Sequence, residues 1–265
     1  MLYRTMMLVV TFSALGVLGS LKVASDLKKA EETAIQTRLD SIMDKRVLSF
    51  EQQINYNLEV LYSLERHVNY SLEMTQEEFH QVASDILMRH PNIQALEWIP
   101  LVMAEERDSF ERSRQTDYPD FRIRERDASG FMPPAGLRDE YFPVSYVEPY
   151  ETNEAALGYD LASSEVRLAS LNAAAETGRL HISGVVHLVQ DKESVSAFLG
   201  FNPIYNKGLA AEDDPHSSLK GFVLGVYKIP DLVNSGLLKG TVSGIEMTIF
   251  DETDPDTPSK LYVHE

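Results

Sequence analysis

From Ala24 to Leu72 the chain contains neither proline nor glycine, and apolar residues recur every three or four positions: Met43, Val47, Phe50, Ile54, Leu58, Leu61, Leu64 and Val68. That period places them on one stripe of a single long helix. Over residues 23–73 it reads as a stalk, reaching on the order of 70 Å at about 1.5 Å per residue. The stripe has two readings, packing against the helix's own domain and a seam with a second copy. Gln52, Gln53, Asn55 and Asn57 interrupt it, so it is no strict coiled coil. Upstream, Met6–Leu21 carries no charge between Arg4 and Lys22. This stretch predicts a transmembrane anchor over 1–22, with a cleaved signal peptide as the competing reading.

Beyond the stalk the periods shorten. Thr75-Gln76-Glu77-Glu78 is a capping box, and Phe79, Val82, Ala83, Ile86 and Leu87 give the next helix an apolar face, ended by Pro91. Ile93–Ile99 reads as a strand, Glu105–Gln115 as a short charged helix, and Phe121–Glu125 as a half-exposed strand. Ser163 or Ser164 caps a helix through Val166, Leu168, Leu171 and Ala175 that Gly178 terminates. Strands follow at Leu180–Gln190, Phe198–Tyr205, Leu219–Tyr227 and Val242–Asp251, with a short helix at Pro230–Leu238. Many strands beside few short helices predict an α+β chain with two antiparallel sheets in tandem, over 74–195 and 196–265.

Charge narrows the function. A net charge of −17, from 41 acidic and 24 basic residues, argues against nucleic acid and against anionic membrane surfaces. Cysteine is absent, which excludes disulfides, thiolate metal sites and cysteine nucleophiles. The seven histidines are scattered, and His181 and His187 have no evident third ligand, so no metal is expected. Phosphate-binding glycine loops, HExxH helices and GxSxG elbows are missing. Neither a cofactor nor a catalytic centre is expected within these residues.

A set of segments, in this order, resembles the CHASE domain. They are Pro91-Asn92-Ile93-Gln94-Ala95-Leu96-Glu97-Trp98-Ile99-Pro100, Arg138-Asp139-Glu140-Tyr141 with Pro143-Val144, Leu157-Gly158-Tyr159-Asp160, Glu176-Thr177-Gly178, Phe201-x-Pro203-Ile204-Tyr205 and Gly221-Phe222-Val223-Leu224-Gly225. The resemblance covers residues 74–237. CHASE domains are extracytoplasmic sensor modules of membrane histidine kinases, nucleotide cyclases and plant cytokinin receptors. It therefore implies two PAS-like sheets after the stalk, a membrane-distal one (74–195) that holds the ligand and a membrane-proximal one (196–265). It implies a small organic ligand of the adenine or cytokinin type, a homodimer joined through the stalk, and placement on the periplasmic side of the inner membrane. The output it implies is a histidine kinase of a two-component system. The alternatives are a diguanylate cyclase or phosphodiesterase output, or a free-standing membrane-anchored binding protein.

Five residues are candidates for ligand binding. Asp160 falls where the cytokinin-binding members place an aspartate that hydrogen-bonds the adenine, and Ile182 where they offer backbone polar atoms. From its residues alone, Asp160 is a carboxylate between apolar neighbours that must find donors; the competing reading is a helix N-cap. Tyr141 and Tyr146 suit a pocket wall or a packed core equally. Arg138 is carried as a ligand contact, against an internal Arg–carboxylate pair.

Overall fold

The computed structural model describes residues 2–71, 74–188, 195–206, 218–237, 246–251 and 258–264, without the side chains at 2, 4, 5, 8–11 and 14. It divides into two units, Met1–Ser49 and Phe50–Glu265. The first is the N-terminal part of helix α1 (Leu2–Tyr70). Within it Leu18, Leu27, Ile35 and Val47 are exposed. The expected transmembrane anchor over 1–22 is not upheld: among the described residues no helix is long and apolar enough to cross a membrane. The uncharged run Met6–Leu21 is 16 residues long. At about 1.5 Å per residue it reaches roughly 24 Å, short of a hydrocarbon core about 30 Å thick.

The second unit is built on an antiparallel sheet of six strands, ordered β4 (Tyr146–Glu148), β1 (Ala95–Pro100), β8 (Leu219–Lys228), β7 (Ser196–Tyr205) and β5 (His181–Ile182), with β6 (Val186–His187) also paired to β7. Two ribbons accompany it, β2 (Val102–Met103) with β3 (Glu140–Tyr141) and β9 (Met247–Asp251) with β10 (Ser259–His264). The α+β class with antiparallel pairing is as expected. The tandem arrangement is corrected. β1 pairs with β8 over six positions, from Ala95↔Val226 to Pro100↔Gly221, so strands from both expected sheets join in one.

Both faces of that sheet are covered, which is why β1 is buried from Ala95 to Ile99 instead of alternating. One face carries Leu96, Trp98, Ile204 and Val223 against Leu58, Leu61, Leu64 and Val68 of α1 and Phe79, Ala83 and Ile86 of α2 (Gln76–Arg89). The other carries Ala95, Ile99, Phe201, Phe222 and Val226 against Leu171, Ala174 and Ala175 of α4 (Glu165–Thr177). Helix α2 starts at the expected capping box: Glu78 N donates to Thr75 Oγ1 at 3.2 Å and Thr75 N to Glu78 Oε2 at 3.1 Å. Helix α4 ends at Gly178, whose φ of 63° is the left-handed C-cap that glycine adopts freely. Gly221 permits the β1–β8 approach, because a Cβ there would lie 2.2 Å from Ile99 O. The expected strand Leu180–Gln190 is broken into β5 and β6, and residues 189 and 190 lie outside the described set.

Polar side chains of β7 and β8 bind the end of α1 directly. Tyr227 donates its hydroxyl to Asn57 O at 3.0 Å, and Asn202 Nδ2 donates to Leu61 O at 3.4 Å. Lys220 Nζ reaches Val68 O (3.1 Å) and Ser71 O (3.3 Å), placing a cation on the negative end of the helix dipole. Tyr227→Phe, which removes the second donor to a carbonyl already bonded within the helix, should lower stability by about 1 kcal/mol in a urea titration. An unchanged midpoint would show that this bond contributes nothing.

Candidate ligand-binding site

The face of the sheet toward α4 carries one charged residue in an apolar row. Glu97 sits between Ala95 and Ile99, two positions from each, so all three point the same way. It is 4 % exposed. On α4, Arg167 lies four residues before Leu171 and seven before Ala174, on the same helical face, and is 9 % exposed. Both line one void of about 20 Å³, walled also by Val144, Tyr159, Leu161 and Leu199. That volume is room for a single water.

Arg167 is partly satisfied. Nη2 donates to His187 O at 3.0 Å, Nη1 lies 3.4 Å from the Tyr159 hydroxyl, and the guanidinium stands 5.2 Å over the Tyr159 ring. Glu97 accepts no hydrogen bond from the described residues. Burial pushes its carboxyl up to about 8, against a smaller downward pull from Arg167. At neutral pH the chamber therefore holds a mostly protonated acid beside a guanidinium. It can present a donor and acceptor at one end and a cation at the other.

The wall over the chamber is the segment Leu157–Leu161, laid against Phe142–Val144. Val144 N donates to Tyr159 O (3.0 Å), Gly158 N to Val144 O (2.8 Å) and Leu161 N to Phe142 O (3.0 Å). Gly158, at φ 77°, allows this crossing: a Cβ would lie 2.2 Å from Arg122 O. Asp160 stands in the middle of the wall, fully buried. Its Oδ1 accepts from Phe142 N at 2.9 Å and Ala162 N at 3.2 Å, so it caps the short 3-10 turn Leu161–Ser163. Its Oδ2 faces Arg138 Nη1 at 3.3 Å without a hydrogen bond. Burial raises its pKa, opposed by the Phe142 amide and by Arg138. Ser164 occupies the N-cap position of α4 without a side-chain bond to the helix.

The five candidates are not all brought together. Arg138 pairs with Asp160 and also with Glu125. Tyr141 is buried beside them in a small core with Val102, Phe121 and Ile123, and its hydroxyl donates to Gly136 O at 3.0 Å. Tyr146 lies on the opposite face of the sheet, stacked on Phe79 at 5.9 Å, its hydroxyl contacted by Arg114. Ile182 is exposed on β5, opposite Gly200. Glu97 and Arg167 were missed by sequence reasoning, although each leaves a trace: a lone carboxylate in an apolar strand, and a guanidinium in phase with an apolar helix stripe.

Comparison with known proteins adds the family. The model of the CHASE domain matches residues 73–262. The chain belongs to the CHASE domain family. This CHASE domain is 19 % identical over 235 residues to Hybrid signal transduction histidine kinase A of Dictyostelium discoideum, covering 85 % of this chain and 11 % of that protein. The chain thus spans about a tenth of the length of that relative. Among solved structures, the ligand-binding domain of the Pseudomonas aeruginosa PAO1 amino acid chemoreceptor PctC, in complex with GABA, aligns at a TM-score of 0.48 with 12 % identity. That alignment covers 82 % of this chain and 72 % of the other. An extracellular ligand-binding receptor from Desulfohalobium retbaense aligns at 0.45 with 10 % identity, covering 79 % and 28 %. As a CHASE domain, this chain is a sensor domain of a signalling receptor.

Proposed function

We propose that this CHASE domain senses a small organic molecule in the chamber between the sheet and α4, on the periplasmic side of the inner membrane, as the input module of a homodimeric receptor histidine kinase. The observation that carries the ligand site is Glu97, a buried carboxyl that lines the void together with Arg167. A buried polar group without a partner is costly, and an occupant that hydrogen-bonds it recovers that cost. The void of about 20 Å³ is far below the roughly 300 Å³ of a ligand pocket, so binding displaces the wall or α4. Occupancy is thereby tied to a change of shape. The wall carries Asp160, which faces Arg138, while Ile182 is exposed on β5; in this reading Asp160 holds the wall that the ligand moves.

The signal travels through the sheet. Leu199 and Val226 line the chamber, while Asn202 and Tyr227, on the same two strands, hold α1. A ligand that favours one strand arrangement biases the helix that the same strands grip. The exposed apolar residues of α1, Leu18, Leu27, Ile35 and Val47 among them, support a helix seam between two copies.

A thermal-shift screen of the chain against adenine-type purines, cytokinins and small amino acids tests the reading. A ligand should raise Tm by mass action, and Arg167→Met and Glu97→Gln should abolish that rise. A ligand whose shift survives both substitutions places the site elsewhere. Failure of every compound removes these ligand classes.

A further inference from the structure

Charge inside the chamber does not balance. Arg167 is buried, yet among the described residues its guanidinium has no ion pair. Its acceptors are both neutral, the His187 carbonyl and the Tyr159 phenol, and they engage two of the five N–H groups that an arginine carries. Asp160, in the wall, is committed to Phe142 N, Ala162 N and Arg138, and His187 is exposed. Among the described residues that leaves Glu97 as the one acid lining the void. Its carboxyl, pushed up to about 8 by burial, is mostly protonated at neutral pH and supplies no counter-charge. A buried guanidinium without one is costly.

The rest of the lining sets what could supply that charge. Val144, Ala156, Leu161, Leu188, Leu199 and Val226 are apolar, and the Tyr159 phenol is the one further polar side chain among the described residues. No group there would receive an ammonium ion or a second negative charge. A ligand that fits therefore carries a single anionic head and an apolar body. The void of about 20 Å³ favours the smallest such anions, because they displace the wall least.

We infer that the chamber takes a short-chain monocarboxylate, its carboxylate on the Arg167 guanidinium and its alkyl tail among Leu161, Leu188 and Leu199. The inference rests on the reading of the chamber as the sensory site and names the class of molecule that site takes. A carboxylate matches the planar fork of a guanidinium, which a lone carbonyl and a phenol do not fill. Protonated Glu97 donates to the same carboxylate, an O–H···O⁻ bond of the strong kind. One negative charge brings the chamber to neutrality. Each methylene of the tail that enters the apolar lining adds about fourfold in affinity.

Thermal-shift isotherms of the chain with sodium acetate, propionate and butyrate test it, at a constant sodium concentration balanced with sodium bromide. Propionamide, alanine and adenine serve as contrasts. Saturable stabilisation by propionate is expected, about fourfold tighter than acetate, with propionamide and alanine at least about tenfold weaker. Arg167→Met should abolish the effect, and Arg167→Lys, which keeps the charge without the fork, should weaken it severalfold. Propionate affinity in the unaltered chain should be level from pH 6 to 7 and fall toward tenfold per unit above about pH 8, where Glu97 ionises and takes over as counter-charge. Equal binding of propionate and propionamide, tighter binding of alanine, a flat pH profile, or propionate binding that survives Arg167→Met would each overturn the inference. An adenine shift that Arg167→Met removes, with propionate silent, overturns the class and keeps the site. Silence of every compound overturns the site and the class together.

Discussion

Glu97→Gln is expected to stabilise the domain at pH 8 by several kcal/mol while changing it little at pH 5. Glu97 is buried, and its carboxyl titrates near 8 in the folded protein against an ordinary value of 4.5. The folded state therefore holds a proton that the unfolded chain releases. The stability this proton represents is complete below about pH 4.5 and is lost as pH rises toward 8. A difference of that size is on the order of 4 kcal/mol. Glutamine keeps the shape of the protonated acid and cannot ionise, so the loss disappears. Asp160, raised by burial, and His80, raised by its bond to Glu148, contribute slopes of the same sign. For this reason the decisive quantity is the difference between the two proteins in denaturant titrations at pH 5, 6, 7 and 8. A difference that stays flat with pH would mean that Glu97 ionises freely in the folded state.

The second large effect is Glu111→Ala, which should cost about 3–5 kcal/mol. Glu111, in α3 (Arg107–Arg114), is 6 % exposed and serves three donors. Oε1 accepts from Arg107 Nε at 3.1 Å and from Ile123 N at 3.1 Å, and Oε2 from Arg122 Nη1 at 3.0 Å. Arg107 in turn donates Nη1 to Ala135 O at 2.9 Å and stands 4.9 Å over the Tyr141 ring. Without the carboxylate, a largely buried guanidinium loses its counter-charge and the Ile123 amide its acceptor. Arg122 is mostly exposed, so Arg122→Ala should change stability by less than about 1 kcal/mol. Hydrogen exchange at Ile123 N reads the same event locally and should accelerate in Glu111→Ala alone. Equal effects of the two substitutions would contradict this assignment.

What was legible in the sequence was local. The Thr75/Glu78 box and the Gly178 cap are set by residues within a few positions of one another, and both are where the pattern puts them. The β-branched and aromatic runs of β7 and β8 announce strands. Pairing between β1 and β8 is another matter, because nothing near Ala95 specifies a partner at Val226. Two sheets in tandem was the economical reading of strands separated by a long polar stretch, and one shared sheet is the outcome. The faces of the two candidate tyrosines were not legible for a similar reason. Tyr141 and Tyr146 are close in the chain, yet one packs with Ile123 and the other with Phe79 across the sheet. Asp160 was legible as a carboxylate needing donors, and its donors include the Phe142 amide, eighteen positions away. Glu97 stayed hidden because a lone acid in a strand looks like a solvent-facing residue until both sheet faces are seen to be covered.

The grip of β7 and β8 on α1 also decides where this module can be cut and joined to another. Residues 57–71, the end of α1 and the residue after it, supply the carbonyls that Tyr227, Asn202 and Lys220 hold, and the Leu58–Val68 row that closes one face of the sheet. A fusion junction at 73/74 would discard that row and strand those donors. A junction near Ser49/Phe50, between the two units, keeps the portable part whole. In a chimeric receptor, the helical phase at that junction then becomes the adjustable variable: inserting one residue turns the incoming helix by about 100° relative to the gripping strands, and four residues nearly restore it. Output plotted against insert length should therefore oscillate with the helical repeat.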